Sequence, residues 1–215
     1  MKEIKDYAEF LKELSGGFTT LSRISALEEL RQQVLRCRAC PLHRTRRNCV
    51  FGEGNPFAEI MFVGEAPGEN EDRTGRPFVG KAGELLTRII KAMGYEREDV
   101  YIANIVKCRP PGNRTPTKEE QRACFPFLQK QIEIIKPKVI VALGAVATSN
   151  LLSTNQPLTK LRGRWGYYKD IPVMPTFHPS YILQRGESKE LKKLVWQDMK
   201  KVLAYLGKLS ASTKK

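Results

Sequence analysis

Short apolar runs of strand length alternate along this chain with longer stretches in which apolar residues recur every third or fourth position. Four runs have the first character: 60–64 (IMFVG), 99–106 (DVYIANIV), 139–143 (VIVAL) and 171–177 (IPVMPTF). They are rich in β-branched and aromatic residues and bounded by Gly, Pro or charge, which predicts strands. Helical periodicity is found over 25–36, 82–93, 118–135, 145–152 and 189–206, and Ser25 with Glu28 has the spacing of a capping box for the first of these. Strands that alternate with helices in this way build a parallel sheet covered on both faces. The expected fold is α/β, a three-layer α/β/α sandwich with a central four-stranded parallel sheet. Ahead of it, Ile4, Tyr7, Phe10, Leu11 and Leu14 keep helical spacing until Ser15-Gly16-Gly17 stops the pattern. Residues 1–25 are therefore expected to add an amphipathic helical extension to a domain spanning 26–207, with 208–215 a frayed tail.

One stretch concentrates the unusual residues. Between the first strand and the next helix, 60–86 reads IMFVGEAPGENEDRTGRPFVGKAGELL, breaking at Gly64 and holding Glu65, Pro67, Gly68, Glu69, Glu71, Asp72 and Phe78 in the loop. A loop of this length is uncommon unless it has work to do, and α/β folds bind ligands at the carboxyl ends of their strands. Polar residues that interrupt or end the predicted strands are Glu65, Asn104 and His178. In a parallel sheet they converge on one crevice, where a carboxylate, an amide and an imidazole suit chemistry on a polar ring. Asn104 offers a donor and an acceptor to such a ring, and Phe78, after Arg76-Pro77, offers a face for stacking. His178, on the stiff turn FHPS, can donate to an oxygen that gains charge. Taken singly, each has an ordinary structural use; their coincidence at one sheet edge carries the signal.

Charge narrows the partner. Lys and Arg outnumber Asp and Glu by 37 to 23, a net +14, and such an excess favours a polyanion, most simply nucleic acid. Four arginines and His43 crowd the irregular stretch after Cys37, and Lys107, Arg109 and Arg114 flank Cys108, two groups expected to border phosphates. His43 reads as a surface residue. No apolar run reaches membrane-spanning length and the first residues lack a signal-peptide core, so a cytoplasmic protein is expected. Its five cysteines, at 37, 40, 49, 108 and 124, are then not disulfides. Cys37, Cys40, Cys108 and Cys124 can form one four-cysteine site with Cys49 spare. Zinc and an iron–sulfur cluster both remain open, and the 15 residues between Cys108 and Cys124 fit a clamped loop better than a zinc ribbon.

The segments GEAPGENEDRTGRPFVGKAG, NIVKCRPPGNRTP, LGAVA and FHPSYIL, with the cysteine pattern, closely resemble the family 4 uracil-DNA glycosylases over about residues 30–205. These are iron–sulfur enzymes of the uracil-DNA glycosylase superfamily. The resemblance implies hydrolysis of the N-glycosidic bond of deoxyuridine in single- or double-stranded DNA, releasing free uracil. It implies that Glu65 positions the attacking water, Phe78 stacks on the flipped base, Asn104 reads its edge, and His178 donates to uracil O2. Glu71 would crowd C5 and exclude a thymine methyl, Asn113 would be a further catalytic amide, and Gly64 and Ala66 would complete the base-binding set. Cys37, Cys40, Cys108 and Cys124 would hold a [4Fe–4S] cluster. Tyr181, Ile182 and Leu183 are placed to wedge into the vacated stack. A monomer is expected. Two alternatives are weighed. One is a uracil-DNA binder that ends as a covalent adduct, although the relevant region, LTKLRGRWG, lacks the extra basic loop and histidine of such proteins. The other is a non-enzymatic iron–sulfur or nucleic-acid-binding protein on the same fold, which would need none of Glu65, Asn104 and His178.

Overall fold

The computed structural model describes residues 21–208. The amphipathic segment expected within 1–15, and the tail beyond 208, lie outside the described residues.

Helix α1 occupies residues 21–35 and buries Leu27, Leu30 and Val34, spaced three and four apart as one helical face requires. It runs straight through Ser25, whose hydroxyl donates to Glu29 at 3.4 Å while Glu28 accepts from Gln32 at 2.7 Å. The capping box expected at Ser25 and Glu28 is therefore absent, because the helix is already under way there and its amides are paired internally.

The sheet has six strands among the described residues: β1 (Glu53–Gly54), β2 (Ile60–Gly64), β3 (Tyr101–Asn104), β4 (Val139–Leu143), β5 (Gly166–Tyr168) and β6 (Ile171–Thr176). Their order is β1-β3-β2-β4-β6-β5. The inner β3-β2-β4-β6 pairings are all parallel, and β1 and β5 add one antiparallel strand at each edge. The expected four-stranded parallel sheet is thus the centre of a wider, mixed one. Neither edge strand could be read from periodicity, since two or three residues are too few to show it. Gly54 is required in β1: with φ +126° it approaches so closely that an added Cβ would lie 1.9 Å from Val100 O.

Every residue of β2, β3 and β4 is buried, as expected for parallel strands covered on both faces. Successive side chains take opposite sides. Met61, Val63, Ala103, Ile140 and Ala142 pack in one core with α1, α4 (Lys118–Ile135) and α5 (Gly144–Leu151). Ile60, Phe62, Ile102, Val141 and Leu143 pack in the other with α3 (Lys81–Ala92), α7 (Pro179–Gln184) and α8 (Lys189–Tyr205). This is the three-layer sandwich. Two short helices complete it: α2 (Glu69–Thr74), inside the long loop after β2, and α6 (Leu158–Leu161). The parallel order sends the ends of β2, β3, β4 and β6 to one edge, and the ladder continues past them through Ile105 N–H to Gly64 O (3.0 Å) and Val106 N–H to Glu65 O (3.1 Å).

Candidate active site

At that edge opens a cleft of about 710 Å³. Glu65, Ala66, Glu71, Phe78, Asn104, Asn113 and His178 all line it. Gly64 lies beneath, paired with Asn104 across β2 and β3. The sheet order decides this assembly, because β3 and β6 flank β2 and β4 and so bring Asn104 and His178 to opposite sides of Glu65.

Asn104 forms the floor. It is 2% exposed, and its Oδ1 has no hydrogen-bond partner. A buried polar atom without a partner is rare, and here it faces a space that a ligand can fill. Phe78 is likewise buried, with φ +52°, a left-handed conformation unusual for a bulky residue. Two features hold it there. Arg97 Nη1 donates to Phe78 O at 3.2 Å, and its Nη2 donates both to Pro77 O at 2.9 Å and to Glu53 at 2.7 Å. Gly83 then lets α3 close on the turn, since an added Cβ would fall 1.9 Å from Phe78 O.

Glu71 ties the two ends of the loop. Its carboxylate accepts from the N–H groups of Val79 (2.9 Å), Gly80 (3.0 Å) and Gly68 (3.1 Å). Glu65 is half-buried; burial pushes its carboxyl above the ordinary carboxylate range, and a hydrogen bond from the Thr115 side chain opposes that shift.

His178 is the N-cap of α7. The Ser180 amide donates to its Nδ1 at 3.1 Å, and Ser180 Oγ lies 2.7 Å from the same atom. Nδ1 is thus an acceptor, which leaves the proton on Nε2. Burial pushes the imidazole pKa down to about 4, with the Glu71 charge opposing, so the ring is neutral at physiological pH. The ring lies 5.6 Å from that of Phe78 between centroids, tilted by 30°.

Asn113 lines the cleft from its exposed rim, its Oδ1 accepting from Arg109 Nε at 2.8 Å. Two expectations need correction. Of the three residues expected to wedge, Ile182 is fully buried on the core face of α7 and Leu183 packs against the core, so Tyr181 alone reaches the cleft, stacked on Phe177 with centroids 5.3 Å apart. Nor do the cations around Cys108 all face outward. Lys107 is 1% exposed, while Arg114 stays exposed and paired with Glu120 at 2.7 Å, and Arg109 is half-buried, 3.7 Å from Glu69.

A second cavity gathers Cys37, Cys40, Cys108 and Cys124, where the end of α1 and the segment after it meet β3's continuation and α4. Cys49 and His43 line it too, so neither is peripheral; His43 Nδ1 lies 2.7 Å from Cys40 O. Arg46, expected among the phosphate-facing arginines, instead turns inward to Cys108 Sγ (3.0 Å) and Leu35 O (2.8 Å). Hydrogen bonds from Cys49 and Arg46 hold the Cys108 thiol below the ordinary thiol range. Among the described residues no three His, Cys, Asp or Glu side chains are arranged to close on a single metal ion.

Residues 51–200 match the family model described as the Uracil DNA glycosylase superfamily. The chain is 53% identical to a type-4 uracil-DNA glycosylase of Thermotoga maritima, over 87% of this chain and 98% of that one. The chain belongs to the type-4 uracil-DNA glycosylases. Further members are similar: that of Sulfurisphaera tokodaii is 49% identical over 83% of this chain and 84% of its own, and that of Archaeoglobus fulgidus 43% identical over 86% and 96%. Within this type-4 frame, several working residues escaped the sequence. Thr115 and Ser180, bonded to Glu65 and His178, lie inside the segments NIVKCRPPGNRTP and FHPSYIL and could have been suspected from that position. Gly83, which admits the Phe78 turn, ends the segment GEAPGENEDRTGRPFVGKAG, whereas Arg97, which holds that turn, carries no local signal.

Proposed function

We propose that this chain is an iron–sulfur uracil-DNA glycosylase that hydrolyses the N-glycosidic bond of deoxyuridine in DNA, releasing uracil and leaving an abasic site. The observation that carries this is the buried Asn104 amide with its unpartnered Oδ1, set beside the rings of Phe78 and His178 in one cleft.

A deoxyuridine extruded from the stack can enter that cleft, at least cost where it is mismatched or single-stranded. Phe78 supplies a face for the ring. Asn104 presents a donor and an acceptor to the uracil N3–H and O4 edge, and cytosine, with an amino donor at that position, sets donor against donor. As the bond breaks, uracil leaves as a delocalised anion and the sugar gains cationic character. The Nε2–H of neutral His178 donates to O2 of the departing anion, where oxyanion-type stabilisation is most effective. Glu65, ionised, orients water and opposes the sugar charge, and Thr115 holds its carboxylate. Glu71, fixed by three amides, crowds C5 and excludes a thymine methyl. Ala66 lines the wall, Gly64 makes room below, Asn113 sits at the rim, and Tyr181 is placed to fill the vacated stack.

Cys37, Cys40, Cys108 and Cys124 would hold a [4Fe–4S] cluster. Four thiols on one cavity, with a guanidinium and the Lys107 and Ala39 amides pointed at sulfur, fit such a group. When bound, it supplies a covalent clamp between the segment after α1, the end of β3 and α4. We place the enzyme in the cytoplasm as a monomer; no described helix is long and apolar enough to cross a membrane.

Incubation with a uracil-containing oligonucleotide, followed by alkali, tests the activity. Strand cleavage at uracil is expected without added cofactor. An SDS-resistant protein–DNA adduct would instead indicate a covalent binder, and neither product would leave a non-enzymatic protein.

A further inference from the structure

Lys107 takes no part in the chemistry above, yet it is buried as completely as the core leucines. Its ammonium has two neutral acceptors, Asn104 O at 2.9 Å and Gln131 Oε1 at 2.6 Å. Gln131, 0% exposed, passes the network on: its amide donates to Phe51 O at 2.9 Å and to the Tyr101 hydroxyl at 3.2 Å. The backbone of Lys107 is held as well. Its N–H donates to Cys124 Sγ at 3.3 Å, and its carbonyl accepts from Val50 N–H at 2.8 Å.

The Asn104 carbonyl needs such a partner. Ile105 N–H turns toward β2, so the peptide groups of Asn104 face the other way, toward β1. But β1 pairs only with Tyr101 and Ile102 and has ended two residues earlier. Without Lys107 the carbonyl beneath the cleft floor would have no donor. Burying an ammonium whose two hydrogen-bond acceptors are both neutral is costly, and an apolar side chain of similar size would fill the space more cheaply. What the apolar side chain cannot do is hold a peptide plane.

We infer that Lys107 is a positioning residue: its ammonium fixes the Asn104 peptide, and with it the amide that meets the base, and couples that strand end to the cysteine-bearing segment. This rests on Asn104 being the base-reading amide.

The test compares Lys107→Met, Gln131→Leu and Asn104→Ala with the parent protein. Each is measured for iron content, thermal melting, kcat and KM on a uracil-containing oligonucleotide, and inhibition by free uracil. Lys107→Met is expected to keep its iron and melt cooperatively, while its inhibition constant for uracil rises roughly ten- to a hundredfold, the range for freeing one buried hydrogen-bonding group. Its kcat falls, and its affinity for uracil-free DNA is unchanged. A purely structural role would lower the melting temperature and leave uracil inhibition of the folded fraction as in the parent, which overturns the inference. Should Lys107→Met fail to fold or lose iron, Gln131→Leu decides: it keeps the Lys107 donor and removes its second acceptor, so weaker uracil inhibition supports the coupling and parental inhibition overturns it. If Asn104→Ala itself retains full excision, the assignment of the base-reading amide has failed, and Lys107 has nothing to position. If only Asn104→Ala is impaired, the inference about Lys107 fails alone.

Discussion

Gly64 and Asn104 stand opposite each other at the ends of β2 and β3, and only a hydrogen fits beneath the Asn104 amide: a Cβ on Gly64 would lie 2.4 Å from Asn104 Oδ1 and 2.6 Å from Phe78 Cζ. The amide and the ring share one floor because the residue between them has no side chain. Gly64→Ala is therefore expected to push both aside. Overpacking of this kind costs about 1–3 kcal/mol of stability, and uracil excision should fall far more than the melting temperature implies. Steady-state kinetics beside a denaturant melt would check it; parental kinetics would show that the floor tolerates displacement.

Asn104→Asp exchanges the amide donor for an acceptor at the same buried place. Loss of uracil excision by about 10⁴-fold is expected, the scale on which buried polar pairing discriminates, together with a gain of cytosine release. The same alkali assay on uracil and cytosine oligonucleotides measures both.

The depressed pKa of His178 sets a stability window. In the folded chain the imidazole titrates at about 4 instead of 6.5. Between those values the unfolded chain binds a proton that the folded one refuses, so stability falls as pH drops through the window and is unaffected above it. The full difference is on the order of 3 kcal/mol. Urea melts at pH 7, 5.5 and 4.5 should show this decline in the parent and a shallower one in His178→Gln. The rate profile should carry no step at the ordinary histidine pKa. Its acid limb should follow Glu65, whose carboxyl is held above the ordinary range.

Removing the Glu71 carboxylate strands the amides of Gly68, Val79 and Gly80. Glu71→Ala should speed hydrogen exchange at those amides, slow uracil excision at least tenfold by the cost of unpaired buried donors, and make thymine release detectable. Unaltered exchange at Val79 and Gly80 would mean that the loop is held by other contacts.

Cys124→Ser should lose iron, while Cys49→Ser, which touches Cys108 without belonging to the proposed ligand set, should keep it. Iron analysis and visible absorbance of protein prepared without air distinguish the two. Iron lost equally from both would make Cys49 part of the site.

The main elements were legible because each obeys a local rule. β4 and α4 lie where their patterns place them, at Val139–Leu143 and Lys118–Ile135, the helix start marked by Thr117 and Glu120 as a capping box. The cleft residues were legible because Glu65, Asn104 and His178 each end or follow an apolar strand, and parallel strands share one exit edge. The edge strands were not, since Glu53–Gly54 and Gly166–Tyr168 owe their extended form to a neighbour's unpaired backbone. Ile182 misled for a related reason: it follows the His178 turn in sequence, but α7 rotates it onto α3 and Tyr181 into the cleft.

What the chain by itself determined is the inventory: which polar residues end or follow strands, which runs are strands, and at which edge of the sheet those residues must gather. Only the tertiary structure decided how those groups are held. The inward turn of Arg46 and Lys107, the proton on His178 Nε2 and the partnerless Asn104 oxygen depend on what stands beside each group in space. A charged side chain reads the same in sequence whether solvated or buried. Its burial is settled by the acceptors that distant segments bring, here Leu35 O, Gln131 Oε1 and Asn104 O.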